Sequence, residues 1–149
     1  MAAGNVTVLN VALEKLGEGV FNLDADDFNV VLTTQAQALS AAFTGTSGQA
    51  LYADLTAEVV GAGYTAGGEP LAATSWTRSG AILTFAADPT TWEALTATMK
   101  YAVICLATGS KDILAIVDLE TADSAGRTSS GGDFIINWTG GLFTLTRAA

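Results

Sequence analysis

Few side chains in this sequence could do chemistry, and their spacing limits what that chemistry could be. There is no histidine, which removes the usual general base, the serine–histidine–acid triad and the commonest metal ligand. The only cysteine, Cys105, sits among Ile and Leu, the setting of a buried, inert thiol rather than a nucleophile. One cysteine allows neither an intrachain disulfide nor a thiolate metal cluster. No serine is followed three residues later by lysine, so the Ser-x-x-Lys nucleophile pattern is missing. The carboxylates Asp54, Glu58, Glu69, Asp88, Glu93, Asp118, Glu120 and Asp133 remain as possible members of a glycosidase-type pair. Each also has a plain explanation as a solvated or turn-capping group. The expectation is a protein that is not an enzyme and holds no cofactor.

Two patterns invite a ligand and fail on spacing. Asp24, Asp26 and Asp27 form an acidic cluster, but the glycine and distal Glu of a twelve-residue calcium loop are missing. A solvated turn before a strand accounts for them. The stretch over residues 52–71 contains Gly61, Gly63, Gly67 and Gly68. A G-x-G-x-x-G fingerprint needs its third glycine where Ala66 stands, and no Gly-Lys-Ser/Thr occurs anywhere. These four glycines are therefore expected to shape a structural bend, since glycine alone enters positive φ freely. Trp76, Trp92 and Trp138 lie in or beside expected strands. Core packing explains them, yet tryptophan is also enriched at interface hot spots, which makes the three candidate interface residues.

The elements that would position these residues are mostly strands. Residues 6–17 place Val6, Leu9, Leu13 and Leu16 three and four apart, as on one stripe of a short helix, with Gly17 and Gly19 placed to stop it. A strand over residues 6–13 is the competing reading. Residues 28–34 read as a strand by their β-branched content. Residues 35–49 read as a loop, and residues 51–60 as at most a single helical turn before the glycine bend. Residues 71–77 and 81–85 suit a hairpin around Arg78-Ser79-Gly80. Residues 96–107 form the strongest strand, apolar on both faces from Tyr101 to Leu106, and residues 113–119 repeat that two-sided pattern. A polar loop is expected over residues 122–132. Residues 134–138 and 142–146 are expected to close the chain as a hairpin around Gly140-Gly141. This succession predicts an all-β fold: one domain over residues 1–149, an antiparallel β-sandwich of jelly-roll or immunoglobulin-like type with one short N-terminal helix.

Composition narrows the partners. The 149 residues are 50% apolar but only 14% charged, with 15 acidic and 6 basic side chains and a net charge of −9. Nucleic acid is disfavoured because phosphate binding needs clustered Lys and Arg, and the basic residues are scattered. Anionic membranes are disfavoured likewise. No apolar run approaches the ~20 residues of a membrane span, and no signal-peptide pattern opens the sequence, so synthesis and folding in a cytoplasm are expected. With so few charges, either much of the surface is Thr, Ser, Ala and Gly or part of it is hidden against partners, and both are expected.

Four segments, in order, resemble a family of small tailed-bacteriophage virion proteins often encoded among the head genes. They are residues 24–33 (Asp-Ala-Asp-Asp-Phe-Asn-Val-Val-Leu-Thr), residues 58–68 (Glu-Val-Val-Gly-Ala-Gly-Tyr-Thr-Ala-Gly-Gly), Trp92 with residues 100–104, and residues 132–138. The similarity runs from about Val6 to Leu145 and departs most over residues 34–52, where the loop is rich in Ala, Gln and Ser. The resemblance implies a structural role on the virion. Its preferred form is a capsid decoration, or cement, protein bound to the outer surface of the major capsid protein shell, assembled as a homotrimer after synthesis in the host cytoplasm. A neck or tail component, or a carbohydrate- or receptor-binding module of a tail fibre, is the alternative.

Overall fold

The computed structural model describes residues 6–147. It is mostly β, with 44% strand and 8% helix, in an antiparallel sandwich-like arrangement with one short helix near the N-terminus. The chain enters through β1 (Val6–Val8) and helix α1 (Asn10–Glu18). It continues through β2 (Phe28–Thr33), a single 3-10 turn (Tyr52–Asp54) and the two-residue β3 (Glu69–Pro70). Then follow β4 (Ser75–Ser79), β5 (Ile82–Ala86), β6 (Thr90–Met99), β7 (Tyr101–Leu106), β8 (Ile113–Asp118), β9 (Arg127–Ile136) and β10 (Phe143–Thr146). Three sheets result, ordered β1-β8-β7-β2-β3, β10-β5-β4 and β6-β9. Every pairing is antiparallel.

The five-stranded sheet is the most buried part. Residues 102–105 of β7 and 113–117 of β8 are buried without alternation, so both of their faces are covered, as their continuous apolar runs require. An aromatic chain joins this sheet to the three-stranded one. Phe28 meets Phe85 edge-on at 5.5 Å, Phe85 meets Phe143 at 5.6 Å, and Phe143 meets Trp76 at 6.2 Å between ring centroids. These are favourable aromatic geometries.

Four expectations change. The helix does not begin at Val6. Val6, Thr7 and Val8 are β-branched and pair with Val117, Ile116 and Ala115 of β8, so a buried neighbour overrides helical spacing. The helix then runs through Gly17 and ends at Gly19, whose φ of 77° lets its N–H return to the last turn. Its covered face is Leu9, Ala12 and Leu16, whereas Leu13 is 49% exposed.

The long strand over residues 96–107 is two strands broken at Lys100. The Lys100 N–H donates to the Thr33 carbonyl, and its carbonyl accepts from the Leu119 N–H. Its ammonium is held by Asp118 at 2.8 Å, by the Asp123 carbonyl at 3.0 Å and by the Glu120 carbonyl. A corner tied at so many points cannot continue one flat ladder.

The polar stretch over residues 122–132 is loop only at its start. Residues 127–132 lie in β9, where Arg127, Thr128, Ser129 and Ser130 pair with Met99, Thr98, Ala97 and Thr96. The Thr98 and Thr128 hydroxyls meet at 2.8 Å, a cross-strand pair that apolar patterning does not reveal. Finally, the last two strands do not form a hairpin with each other. Gly140 and Gly141 turn the chain, but Leu142 then donates to the Phe85 carbonyl at 2.6 Å and delivers β10 to β5. Burial of Phe143 against Phe85 and Trp76 outweighs the local turn preference.

Candidate functional site

The glycine bend is built around a carboxylate. Glu58 lies opposite Thr33 at the end of β2. Its side chain accepts from the Tyr52 hydroxyl at 2.6 Å, the Tyr64 hydroxyl at 2.7 Å and the Gly67 N–H at 2.7 Å. Tyr64 in turn accepts from the Leu32 N–H at 3.1 Å. The hydrogen bond to Glu58, with burial second, pushes the Tyr52 phenol up to about 12. Burial and then Glu58 push Tyr64 higher still. Phenols held protonated beside a carboxylate act as donors here, fixing an irregular connection against β2.

The four glycines have different reasons to be glycine. At Gly68, φ is 74° and a Cβ would lie 2.0 Å from the Val30 carbonyl oxygen. At Gly63, φ is 75° and a Cβ would lie 2.4 Å from the Glu93 carbonyl oxygen. Gly61 needs no unusual φ, but a Cβ there would lie 2.1 Å from the Thr96 carbonyl oxygen, while at Gly67 φ is 94° and a Cβ would meet open space. The bend therefore lays backbone on β2 on one side and on β6 on the other. It is a corner between the two strands.

The remaining carboxylates are largely taken up by structure. Asp54 accepts from Ser47 Oγ at 2.5 Å, from the Leu51 N–H at 2.9 Å and from Thr46 and its N–H at 3.0 Å. Led by the Ser47 hydrogen bond, these contacts hold its carboxyl well below the usual range. Asp112 pairs with Lys15 and Ser110. Burial alone would raise it; the hydrogen bonds of Lys15 and Ser110 outweigh that and leave it lowered. Glu120 pairs with Arg127 at 3.0 Å, and Asp133 accepts from the Ala94 N–H at 3.1 Å where β6 bulges. Asp88 is exposed in the connection between β5 and β6. Asp26 accepts from the Asn22 N–H, within a local turn. Among the described residues no group of three or more His, Cys, Asp or Glu is placed to hold a metal ion. Burial pushes the Cys105 thiol up to about 12, an inert state. Glu69 and Glu93 share a cleft of about 430 Å³ with Tyr64, Thr65 and Thr91.

The tryptophans separate. Trp92 is 1% exposed and packs on Phe134 at 5.9 Å. Trp138 is 4% exposed and donates to Thr90 Oγ1 at 3.0 Å. Both are core residues of this chain and present no ring to a partner. Trp76 is half-buried and borders an open cleft of about 450 Å³ with Leu16, Phe21, Leu23 and Leu145. A second cleft, of about 370 Å³, lies at the tip of the same three-stranded sheet between Arg78, Leu83 and Arg147. Sequence reasoning passed over Arg78, Arg147 and Leu145. The available signal was their shared parity with Trp76 and Phe143 along β4, β10 and the residue just after β10, visible once the strands are paired.

No family model matches the chain, and neither the curated proteins nor the solved structures contain a match to it. Among the described residues no helix is long and apolar enough to cross a membrane.

Proposed function

We propose that this protein is a structural component of a tailed-bacteriophage virion, a decoration protein that binds the outside of the major capsid shell as a homotrimer. The observation that carries the reading is how reactive and apolar groups are distributed. Cys105 is sealed in the core and most candidate carboxylates fasten loops, while Leu13, Val60, Ile82 and Leu145 are left exposed on a protomer of low charge. Such a surface suits association over several modest contacts rather than turnover in a pocket. A protein spanning neighbouring shell subunits gains affinity only on the assembled lattice. The purified protein is therefore expected to bind expanded capsids that lack it, to bind isolated capsid subunits much more weakly, and to make those capsids more resistant to heat. Equal binding to free subunits, or location only at the neck or tail, would overturn the reading. One observation favours a second reading, a sugar-binding module: the cleft holding Glu69, Glu93, Thr65, Thr91 and Tyr64. Saturable binding on a glycan array that Glu93→Gln abolishes would replace the first reading by this one.

A further inference from the structure

From the pairing of β4, β5 and β10, we infer that the underside of the three-stranded sheet is a docking trough for an extended polypeptide segment of a partner protein, one carrying alternate apolar side chains followed by a carboxylate. The inference goes beyond the proposed function and does not depend on it. The register sets three rows on one face. Trp76, Phe85 and Phe143 form the first; Arg78, Leu83 and Leu145 the second. Gly80, Ala81 and Arg147 continue the same parity as the third, with the Arg147 N–H bonded to the Ala81 carbonyl. Phe28 covers Phe85 in the middle of the first row, while Trp76 at its end is half-buried. Beyond it the cover stops: Leu145 is 39% exposed, and Arg78 and Arg147 are exposed. The Trp76–Leu145 cleft and the Arg78–Leu83–Arg147 cleft are neighbours, because Leu145 of the first is the direct cross-strand partner of Leu83 in the second.

Charge completes the description. Lys15, Lys100 and Arg127 are paired with Asp112, Asp118 and Glu120, and Lys111 lies over the Tyr52 ring at 4.9 Å. Arg78 and Arg147 have no carboxylate partner among the described residues, and both border one cleft that no acidic residue lines. Two guanidinium groups flanking a leucine bind a carboxylate well, because their forked donors match its two oxygens. The rows are spaced about 7 Å apart, the period of alternate residues in an extended chain. A segment lying along the strands thus sets two apolar side chains on Trp76–Leu145 and Leu83, and its carboxylate between the arginines. β4 and β10 are the outer strands of this sheet.

The test titrates the whole protein with two acetylated, amidated peptides, Leu-Thr-Leu-Thr-Asp-Asp and its reverse, and reads the Trp76 indole and the Arg78 and Arg147 guanidinium signals by NMR. The expected result is saturable binding of at least one peptide, weakened by about tenfold or more when Asn replaces Asp and in the double variant Arg78→Gln/Arg147→Gln. That variant should keep the thermal midpoint of the parent, since both side chains are exposed. No saturable binding of either peptide, or equal binding of the Asn peptides, overturns the inference. Self-association in sedimentation that the double variant abolishes would give the trough to a second copy instead. Octanoate binding there more tightly than either peptide would give it to a free fatty acid. Both results overturn the assignment to a partner's segment.

Discussion

The five-stranded and three-stranded sheets are built from the same kind of antiparallel strand, yet they stand in opposite relation to solvent. β7 and β8 are covered on both faces, and their side chains are nearly all apolar. In β4, β5 and β10 only Phe85 is fully buried, and the other side chains are half-buried or exposed. The face opposite Phe85 carries Ser75, Thr77, Ser79, Thr84, Thr144 and Thr146 with Ile82 and Ala86, in rows that join Thr77, Thr84 and Thr144 directly. The first sheet supplies stability and has little left to offer a partner. The second contributes less burial and keeps its surface available.

The largest expected effect tests that division. Ile104 is fully buried at the centre of β7, so Ile104→Ala should cost about 2–5 kcal/mol of unfolding free energy, the range for deleting a buried aliphatic side chain. Leu83→Ala, on the partly covered sheet, should cost clearly less in the same denaturant titration. Equal losses would mean that the two sheets share the stabilising burden, and the contrast would be broken.

The glycine bend comes next, because it locks the five-stranded sheet to β6. Gly68→Val combines a φ of 74° with a Cβ 2.0 Å from the Val30 carbonyl, and should destabilise by about 1–3 kcal/mol. Gly67→Val has a positive φ but open surroundings, so it should cost only the conformational part. If the two substitutions matched, the packing of the bend on β2 would not be what holds it.

Protonation provides a smaller and reversible perturbation. Asp112 is lowered in the folded protein; a depressed acid stabilises the fold above its unfolded value and loses that contribution as pH falls below it. Stability should therefore decline as pH drops beneath 3.8, and Asp112→Asn should remove part of that slope along with the tie to Lys15. Tyr52 behaves in the opposite sense. Its pKa rises from 10.0 to about 12, so its contribution is complete below pH 10 and is lost as pH climbs through the folded value. Tyr52→Phe should flatten that alkaline limb in pH-dependent thermal unfolding. Both groups fasten connections to the five-stranded sheet.

How much of this was legible in the sequence follows the same division. β7 and β8 were readable because burial on both faces writes itself as an unbroken apolar run, and β2 because of its β-branched content. The bend was readable because few residues besides glycine tolerate its angles. What was hidden depended on partners distant in sequence. β9 looked like a loop because its Ser, Thr and Gly residues gain their partners only from β6, and β10 looked like half of a hairpin because its true neighbour, β5, lies more than fifty residues earlier. Glu58 carries no motif, since its three donors come from Tyr52, Tyr64 and Gly67. Arg78 and Arg147 were scattered charges until pairing set them in one cleft.

The smallest expected change in stability concerns Leu145. Its side chain is 39% exposed at the rim of the trough, and surface substitutions away from caps and buried partners usually stay within about 0.5 kcal/mol. Leu145→Ser should therefore leave the thermal midpoint close to that of the parent, in contrast to Ile104→Ala. Its effect should fall on recognition: affinity for the acidic, alternately apolar peptides should drop even though both arginines remain. A marked loss of stability in Leu145→Ser would mean that the trough belongs to the core rather than to the available surface. An unchanged peptide affinity would leave the arginines as an isolated charge site, with no apolar track leading to them. Loss of binding at constant stability is the outcome that separates a sheet kept open for a partner from one that is merely under-packed, because only the former penalises the contact without penalising the fold.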